Sequence, residues 1–172
     1  MLPHLLILVQ AKDTALITKT CNQIPNTKLC ISTLNSDRRI NEAKDVYDLA
    51  NITMSNVNDL EMKVENHILG LLRNRVIGDP VRSLLLSCMT TYSRDVNFYI
   101  RHIIGLLAIK DFKWAEVSVE VLVREAKSCG ESFTKGKVKS PIAKDTKALD
   151  DLSLVAYGLI KYVNFYFPPS VN

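Results

Sequence analysis

Apolar residues recur at spacings of three and four along four long stretches of this 172-residue chain, and no useful length alternates with period two. Such spacing places apolar side chains on one face of an α-helix, so each stretch predicts an amphipathic helix. Only six glycines and six prolines are present, too few for a loop-rich or all-β chain of this size. The pattern therefore predicts an all-α protein.

The first two predicted helices are long, and each has one apolar face. The first spans about residues 41–72, with the stripe Val46, Ala50, Thr53, Val57, Leu60, Val64, Ile68 and Leu71. The second begins at Asp79-Pro80, because aspartate is a favoured N-cap residue and proline suits the first turn. Its stripe is Val81, Leu85, Cys88, Tyr92, Val96, Tyr99, Ile103 and Leu106.

Two further helices follow a break at Lys110-Asp111. The third has the stripe Ala115, Val119, Leu122, Ala126 and Cys129, and residues 130–139 after it are predicted to be a polar loop. The last helix lies between Ser140-Pro141 and Pro168-Pro169, with the stripe Ala148, Leu152, Val155, Leu159 and Val163. Four such helices with short connections predict an up-down-up-down four-helix bundle. An α-solenoid, the nearest alternative, needs a repeat of about 30–45 residues, which the chain lacks.

A helical hairpin is predicted ahead of the bundle, as two short helices joined at Ile24-Pro25-Asn26. With 47% apolar residues the chain can bury one substantial core, so residues 12–172 are predicted to form a single domain. Within it, residues 12–36 are assigned to the hairpin and residues 41–166 to the bundle.

Two features indicate the secretory route. Residues 1–11 contain a short apolar run followed by Val9-x-Ala11, which predicts the remnant of a secretory signal peptide. Asn51-Ile52-Thr53 is a glycosylation sequon, so Asn51 is a candidate glycosylation site if the chain is exported.

The chain has four cysteines, Cys21, Cys30, Cys88 and Cys129. No CxxC motif occurs and no histidine lies at ligand spacing, which argues against a metal or redox site. An even number of cysteines in a chain that could fold without them predicts an oxidising compartment and two disulfides, the alternative being four buried free thiols. Three pairings are possible, and only Cys21–Cys30 with Cys88–Cys129 neither crosses nor nests.

Motifs for catalysis are absent from the sequence. It contains no GxSxG, GxGxxG, GxxxxGK[ST] or HExxH motif. His67 and His102 lie beside apolar stripes and are interpreted as partly buried structural histidines, and Asp150-Asp151 as solvated surface. We therefore predict no enzyme, no catalytic residue and no cofactor.

The charge pattern gives little support for nucleic acid or membrane partners. The net charge of +4 is scattered, and its densest run, Lys135, Lys137 and Lys139, has no interleaved aromatic residue on which bases could stack. No stretch approaches the roughly 20 apolar residues that span a bilayer. A secreted protein that meets acidic partners fits the same positive surplus.

Five segments, all in order and with both cysteine spacings, resemble the plant invertase and pectin methylesterase inhibitor family. They are Thr20 to Cys30, Leu34 to Arg39, Ser87-Cys88-x-x-x-Tyr92, Cys129 to Phe133, and Ser140-Pro141-Ile142. The resemblance covers about residues 13–163. It implies a four-helix bundle with an N-terminal hairpin, disulfides that pair first with second and third with fourth, and export to the cell wall or vacuole.

The turn before the third bundle helix resembles the invertase inhibitor branch of this family. That branch has Pro-Lys-Phe between Gly-Asp and Ala-Glu, and this chain has Lys110-Asp111-Phe112-Lys113-Trp114-Ala115-Glu116. The resemblance implies that Asp111, Phe112, Lys113 and Trp114 bind the target, with the lysine entering a carboxylate-lined active site between two aromatic rings. In the alternative interpretation Asp111 caps the helix while Phe112 and Trp114 cover the end of the bundle.

Three hypotheses for function follow. The first is a secreted inhibitor that binds plant acid invertase one-to-one and occludes its sucrose site, in the apoplast and cell wall or in the vacuole. The second is a pectin methylesterase inhibitor that covers its target's cleft with helix faces. The third is an interaction bundle that inhibits neither enzyme.

Overall fold

The computed structural model describes residues 15–167, and that part of the chain is helical without a strand. Residues 15–21 form helix α1. The elements after it are α2 (Thr27–Asn35), a 3-10 turn (Arg38–Glu42), α3 (Val46–Arg73), α4 (Val81–Thr90), a π-helical segment (Thr91–Val96), α5 (Asn97–Ala108), α6 (Phe112–Lys135) and α7 (Ala143–Tyr166). The proposed signal remnant at residues 1–11 and the stop at Pro168-Pro169 lie outside the described residues.

The predicted four-helix bundle is confirmed. Helix α4, the π-helical segment and α5 run on as one long helix, which is the second member of the bundle. Helix α6 packs on α5 and α7, and α3 closes the ring by packing on α7 and α5. Short connections between consecutive members give the up-down-up-down arrangement.

The π-helical segment changes which residues of α5 face the core. Before it, Leu85, Cys88 and Tyr92 are buried as predicted. A π turn adds one residue to a helical turn, so the residues after Thr91–Val96 are rotated relative to those of a regular α-helix. In α5, Ile103 is fully buried as predicted, and the other fully buried residues are Ile100 and Leu107. The predicted stripe residues Tyr99 and Leu106 are only half-buried.

Helix α6 is longer than predicted: residues 130–135 of the predicted polar loop are helical, and only residues 136–139 of it lie outside the helix. Phe133, one turn after Cys129, is 1% exposed and continues the apolar stripe, so the helix runs on to Lys135. It then ends in a Schellman motif, in which Lys137 has φ 54° and Val138 N–H donates to the Phe133 carbonyl at 3.0 Å.

Three other predicted positions also need correction. Helix α3 begins at Val46 and not near residue 41, because the Asp45 side chain caps it by accepting from Asp48 N–H at 3.0 Å. Asp79 is not the N-cap of α4: Pro80 holds that position, and Asp79 accepts from the Ser83 hydroxyl at 2.6 Å. In α7, Ala148 is exposed and its neighbour Leu149 is buried.

Two disulfides fix the fold, and the pairing implied by the family resemblance is confirmed. Cys21–Cys30 joins α1 to α2 with a Cα–Cα distance of 5.7 Å, and Cys88–Cys129 joins α4 to α6 at 5.1 Å. The four buried free thiols of the alternative are therefore excluded. By the chain-entropy estimate the short bridge stabilises by about 2–3 kcal/mol and the long one by about 4 kcal/mol.

The N-terminal hairpin packs on the bundle through a close contact with α7. A Cβ atom placed on Gly158 would lie 2.9 Å from Cβ of Ile24. Ile24, at the tip of the hairpin, is 6% exposed. Only glycine at position 158 lets the hairpin approach α7 so closely.

Candidate target-binding site

The turn between α5 and α6 is held by backbone hydrogen bonds. Lys110 has φ 60°, and its N–H donates to the Leu107 carbonyl at 3.0 Å while Asp111 N–H donates to that of Leu106 at 2.9 Å. These two bonds form a Schellman motif. Asp111 then caps α6 by accepting from Trp114 N–H at 3.2 Å. The direction in which α6 leaves the turn is therefore well defined without the family's proline.

Tyr47 at the start of α3 contacts residues on both sides of this turn. Its hydroxyl donates to the Leu107 carbonyl at 3.0 Å, and its ring meets the edge of Phe112 with centroids 5.8 Å apart. The Lys110 ammonium lies 5.9 Å from the centre of the same ring. Tyr47 thus connects α3 to both sides of the turn, and sequence reasoning missed it because the contact joins distant parts of the chain.

The predicted site residues divide between the surface and the interior. Phe112 is 7% exposed and packs inside the end of the bundle, as the alternative interpretation proposed for it. Trp114 is 58% exposed and does not cover the bundle end. Lys113 is exposed beside it. We expected Lys113 to be presented between two aromatic rings. This expectation is wrong, because Phe112 is buried and only Trp114 is exposed.

We call the exposed surface formed by Ile109, Lys110, Lys113, Trp114 and Val117 the α6 tip. Ile109 is 73% exposed and Val117 is 46% exposed, so this part of the chain exposes apolar side chains as well as the two lysines. Within residues 15–167 neither lysine forms an ion pair. The tip therefore offers two unpaired cations and an indole ring to a partner.

One carboxylate near the tip is already engaged within the protein. Glu116 lies on the first turns of α6, and its Oε2 accepts a hydrogen bond from the Asn164 amide at 2.7 Å. This bond joins the start of α6 to the end of α7. Because Glu116 is directed to α7, it does not neutralise Lys113 in an ion pair.

Comparison with known proteins agrees with the fold. The sequence model of the family described as plant invertase/pectin methylesterase inhibitor matches residues 15–158, well over half of the chain. The chain belongs to this family. The description of the family names invertase and pectin methylesterase as the enzymes that its members inhibit.

One curated relative and two solved structures illustrate the family. The cell wall / vacuolar inhibitor of fructosidase 1 of Arabidopsis thaliana is 29% identical over 147 residues, which cover 86% of this chain and 68% of the relative. A mutant form of an Arabidopsis pectin methylesterase inhibitor superposes with a TM-score of 0.71 at 17% identity, covering 84% of this chain and 95% of that one. A pectin methylesterase inhibitor from Arabidopsis thaliana gives 0.61 at 16% identity, covering 84% and 93%.

The two histidines of this family member are not partly buried, contrary to the prediction. His67 is exposed and its Nδ1 lies 2.7 Å from Oδ2 of Asp145 on α7. His102 is also exposed, and its ring stacks on Phe98 with centroids 5.7 Å apart. Both lie on outer faces of their helices, because the apolar stripes pass beside them.

The sequon at Asn51 lies within helix α3. The Asn51 side-chain amide donates to the Tyr47 carbonyl at 3.0 Å, and Thr53 is fully buried with its hydroxyl bonded to the Leu49 carbonyl. Glycosylation at Asn51 stays a prediction, and the folded helix does not favour it.

Open grooves lie elsewhere on the described part of the fold, and two of them border α7. One of about 510 Å³ lies between α6 and α7, and its lining includes Lys127, Lys135 and Lys147. The other, of about 350 Å³, lies between the hairpin tip and the aromatic end of α7. Residues 15–167 contain no group of three or more histidine, cysteine or acidic residues placed to hold a metal ion. No helix in that range is long and apolar enough to cross a bilayer.

Proposed function

We propose that this protein is a non-enzymatic inhibitor of plant acid invertase and that the α6 tip occludes the sucrose-binding active site. The observation that carries the proposal is the pair Lys113 and Trp114, exposed side by side on the rigid first turn of α6 with the lysine unpaired. It is supported by family membership and by the relative named as an inhibitor of fructosidase.

The chemistry of the target explains why this pair suits it. Retaining glycosidases carry two carboxyl groups in the active site, and an ammonium delivered there gains charge-assisted hydrogen bonds. An exposed tryptophan next to it supplies the large apolar anchor that is typical of interface hot spots. The turn is fixed before binding, so little conformational entropy is lost in the complex.

The proposed setting is outside the cytosol, with one inhibitor bound to each enzyme molecule. Both disulfides are buried structural bridges, which form and persist in oxidising compartments. The relative's name refers to the cell wall and the vacuole. We therefore expect this chain to be exported to the apoplast and cell wall or to the vacuole.

Inhibition of pectin methylesterase is the second candidate. It is favoured by the groove between α6 and α7, a face of mixed charge that could contact a partner and whose three lysines are ion-paired with Glu131 or Asp151. This face begins near Lys127, about four turns along α6 from the tip. The two candidate functions therefore use separate surfaces and can be distinguished by substitution.

The test is to titrate the purified protein against acid invertase and pectin methylesterase at mildly acidic pH. We expect inhibition of invertase, weakened at least about tenfold by Lys113→Ala and by Trp114→Ala, as for loss of an interface hot spot. Lys63→Ala, at an exposed position in the middle of α3, is the matched control and should inhibit like the wild type.

Each other outcome has a definite meaning. If Lys113→Ala inhibits invertase as well as the wild type does, the α6 tip is not the binding site. If the wild type inhibits only pectin methylesterase, the second candidate replaces the first. If it inhibits neither enzyme from several cell-wall and vacuolar sources, the chain is a non-inhibitory interaction bundle.

A further inference from the structure

A carboxyl group lies in the core of the bundle without a partner. Glu61 is on the buried face of α3, four residues after Val57 and three before Val64, and it is 0% exposed. Neither of its carboxyl oxygens has a hydrogen-bond partner among the described residues. One carboxyl oxygen of Glu65, a turn further along α3, is also buried and unpartnered. Two neighbouring carboxylates with buried oxygens would be costly if both were ionised.

The groups around Glu61 do not compensate for its charge. Burial, and then the neighbouring Glu65, raise the pKa of Glu61 from 4.5 to about 7. Asn97 and Arg101 on α5 act in the opposite direction with smaller effect. Glu61 also interacts electrostatically with Tyr92 of the π-helical segment. The Tyr92 hydroxyl donates to the Ala126 carbonyl of α6.

Helix α7 adds more negative charge to this region. Burial raises the pKa of Tyr92, and the negative charges of Asp150, Glu61 and Asp145 raise it further. The pKa of Asp150 is itself raised by burial and by the adjacent Asp151. His67 on α3 is turned outward, with its Nδ1 2.7 Å from Oδ2 of Asp145.

We propose that Glu61 and Glu65 share a proton across one turn of α3 and thereby make this bundle more stable in acidic surroundings than at neutral pH. While the proton is bound, the Glu61–Glu65 pair carries one negative charge instead of two. Loss of that proton leaves two anions against the core, next to the π-helical segment. The proposal does not involve the α6 tip, so it holds or fails independently of which enzyme the protein inhibits.

The direction of the pH dependence follows from the raised pKa. The folded state holds the proton more tightly than the unfolded state, so the stabilisation is complete below about pH 4.5 and is lost as pH rises through 7. The hydrogen bond to Arg39 lowers the pKa of Asp37. The stability that Asp37 contributes is therefore lost only at pH values below the ordinary range of an aspartate. Asp150, whose pKa is also raised, acts in the same direction, so the part that comes from Glu61 is the part that Glu61→Gln removes.

The experiment compares urea unfolding of the wild type and Glu61→Gln at pH 5 and pH 8. For the wild type we expect the folded-to-unfolded ratio to fall at least about tenfold over this interval, since one pKa unit corresponds to a tenfold change. Glutamine has nearly the shape of the neutral, protonated acid and cannot ionise. The variant should therefore lose most of that decrease. Glu120→Gln, at an exposed position of α6, is the matched control and should keep it.

A second measurement does not depend on any variant. A ¹³C NMR titration of the wild-type side-chain carboxyl groups should show one glutamate titrating well above its ordinary range. The proposal is overturned if every glutamate titrates near its usual pKa, or if Glu61→Gln retains the pH dependence of the wild type.

Discussion

The Tyr47 hydroxyl donates a 3.0 Å hydrogen bond to the carbonyl of Leu107, 60 residues further along the chain. This bond joins the start of α3 to the last turn of α5, directly beneath the turn that presents Lys113. The position of the α6 tip is therefore determined by a contact between distant elements as well as by the turn itself.

We expect Tyr47→Phe to lower the free energy of unfolding by about 1 kcal/mol, because the part-buried Leu107 carbonyl loses one of its two donors and keeps only Lys110 N–H. Inhibition should weaken although no residue of the α6 tip has changed. Tyr157→Phe is the control, since its hydroxyl makes only an exposed 3.4 Å contact with Lys161. Equal urea midpoints for the two variants would contradict the supporting role of Tyr47.

Lys110 and Lys137 both adopt a positive φ that favours glycine, at 60° and 54°. Lys137→Gly should raise the free energy of unfolding by about 1 kcal/mol, because glycine avoids the steric penalty of the left-handed conformation. Lys110→Gly should gain less, because it also loses the contact of its ammonium with the Tyr47 ring. Thermal unfolding of the two variants checks the order, and a larger gain at position 110 would show that the ring contact contributes nothing.

Gly158→Ala should destabilise the protein by about 1–3 kcal/mol, as overpacking in a well-packed region does. The added methyl group would lie 2.9 Å from Cβ of Ile24, so the hairpin must move away from α7. Hydrogen exchange should then become faster in residues 15–35 than in the bundle. Gly105→Ala has no atom within 4 Å of its new Cβ and should stabilise α5 slightly.

Removing both cysteines of a bridge should cost more for the bridge that closes the larger loop. We expect Cys88→Ala with Cys129→Ala to lose about 4 kcal/mol, and Cys21→Ala with Cys30→Ala about 2–3 kcal/mol. The two loops span sequence separations of 41 and 9 residues. Urea unfolding of the two double variants measures the difference. A greater loss for the hairpin pair would mean that native packing, and not loop entropy, determines the effect.

The sequence predicted the helices and the bundle because a spacing of three and four is a direct property of the α-helix. Two errors could have been avoided with the same rule. Phe112 lies three residues before Ala115 and therefore on the stripe of α6, which indicates its burial. Phe133 lies four residues after Cys129, which indicates that the helix continues.

Other features had no local signal. The contact of Tyr47 with Leu107 depends on how α3 and α5 pack, which no spacing within either helix encodes. The exposure of Lys113 and Trp114 was expected, but their binding to an enzyme is a proposal that the fold alone does not test. Glu61 stands at a stripe position of α3, and counting from Val57 could have identified it as a buried acid.

The extra residue in Thr91–Val96 affects how this chain should be aligned with its relatives. A relative whose second bundle helix is regular throughout would need a one-residue gap within this segment. Without that gap, each position of α5 would be matched to a residue on a different side of the helix. Buried Ile100 would then be paired with a solvent-facing neighbour, and an inherited core position would be mistaken for a divergent one.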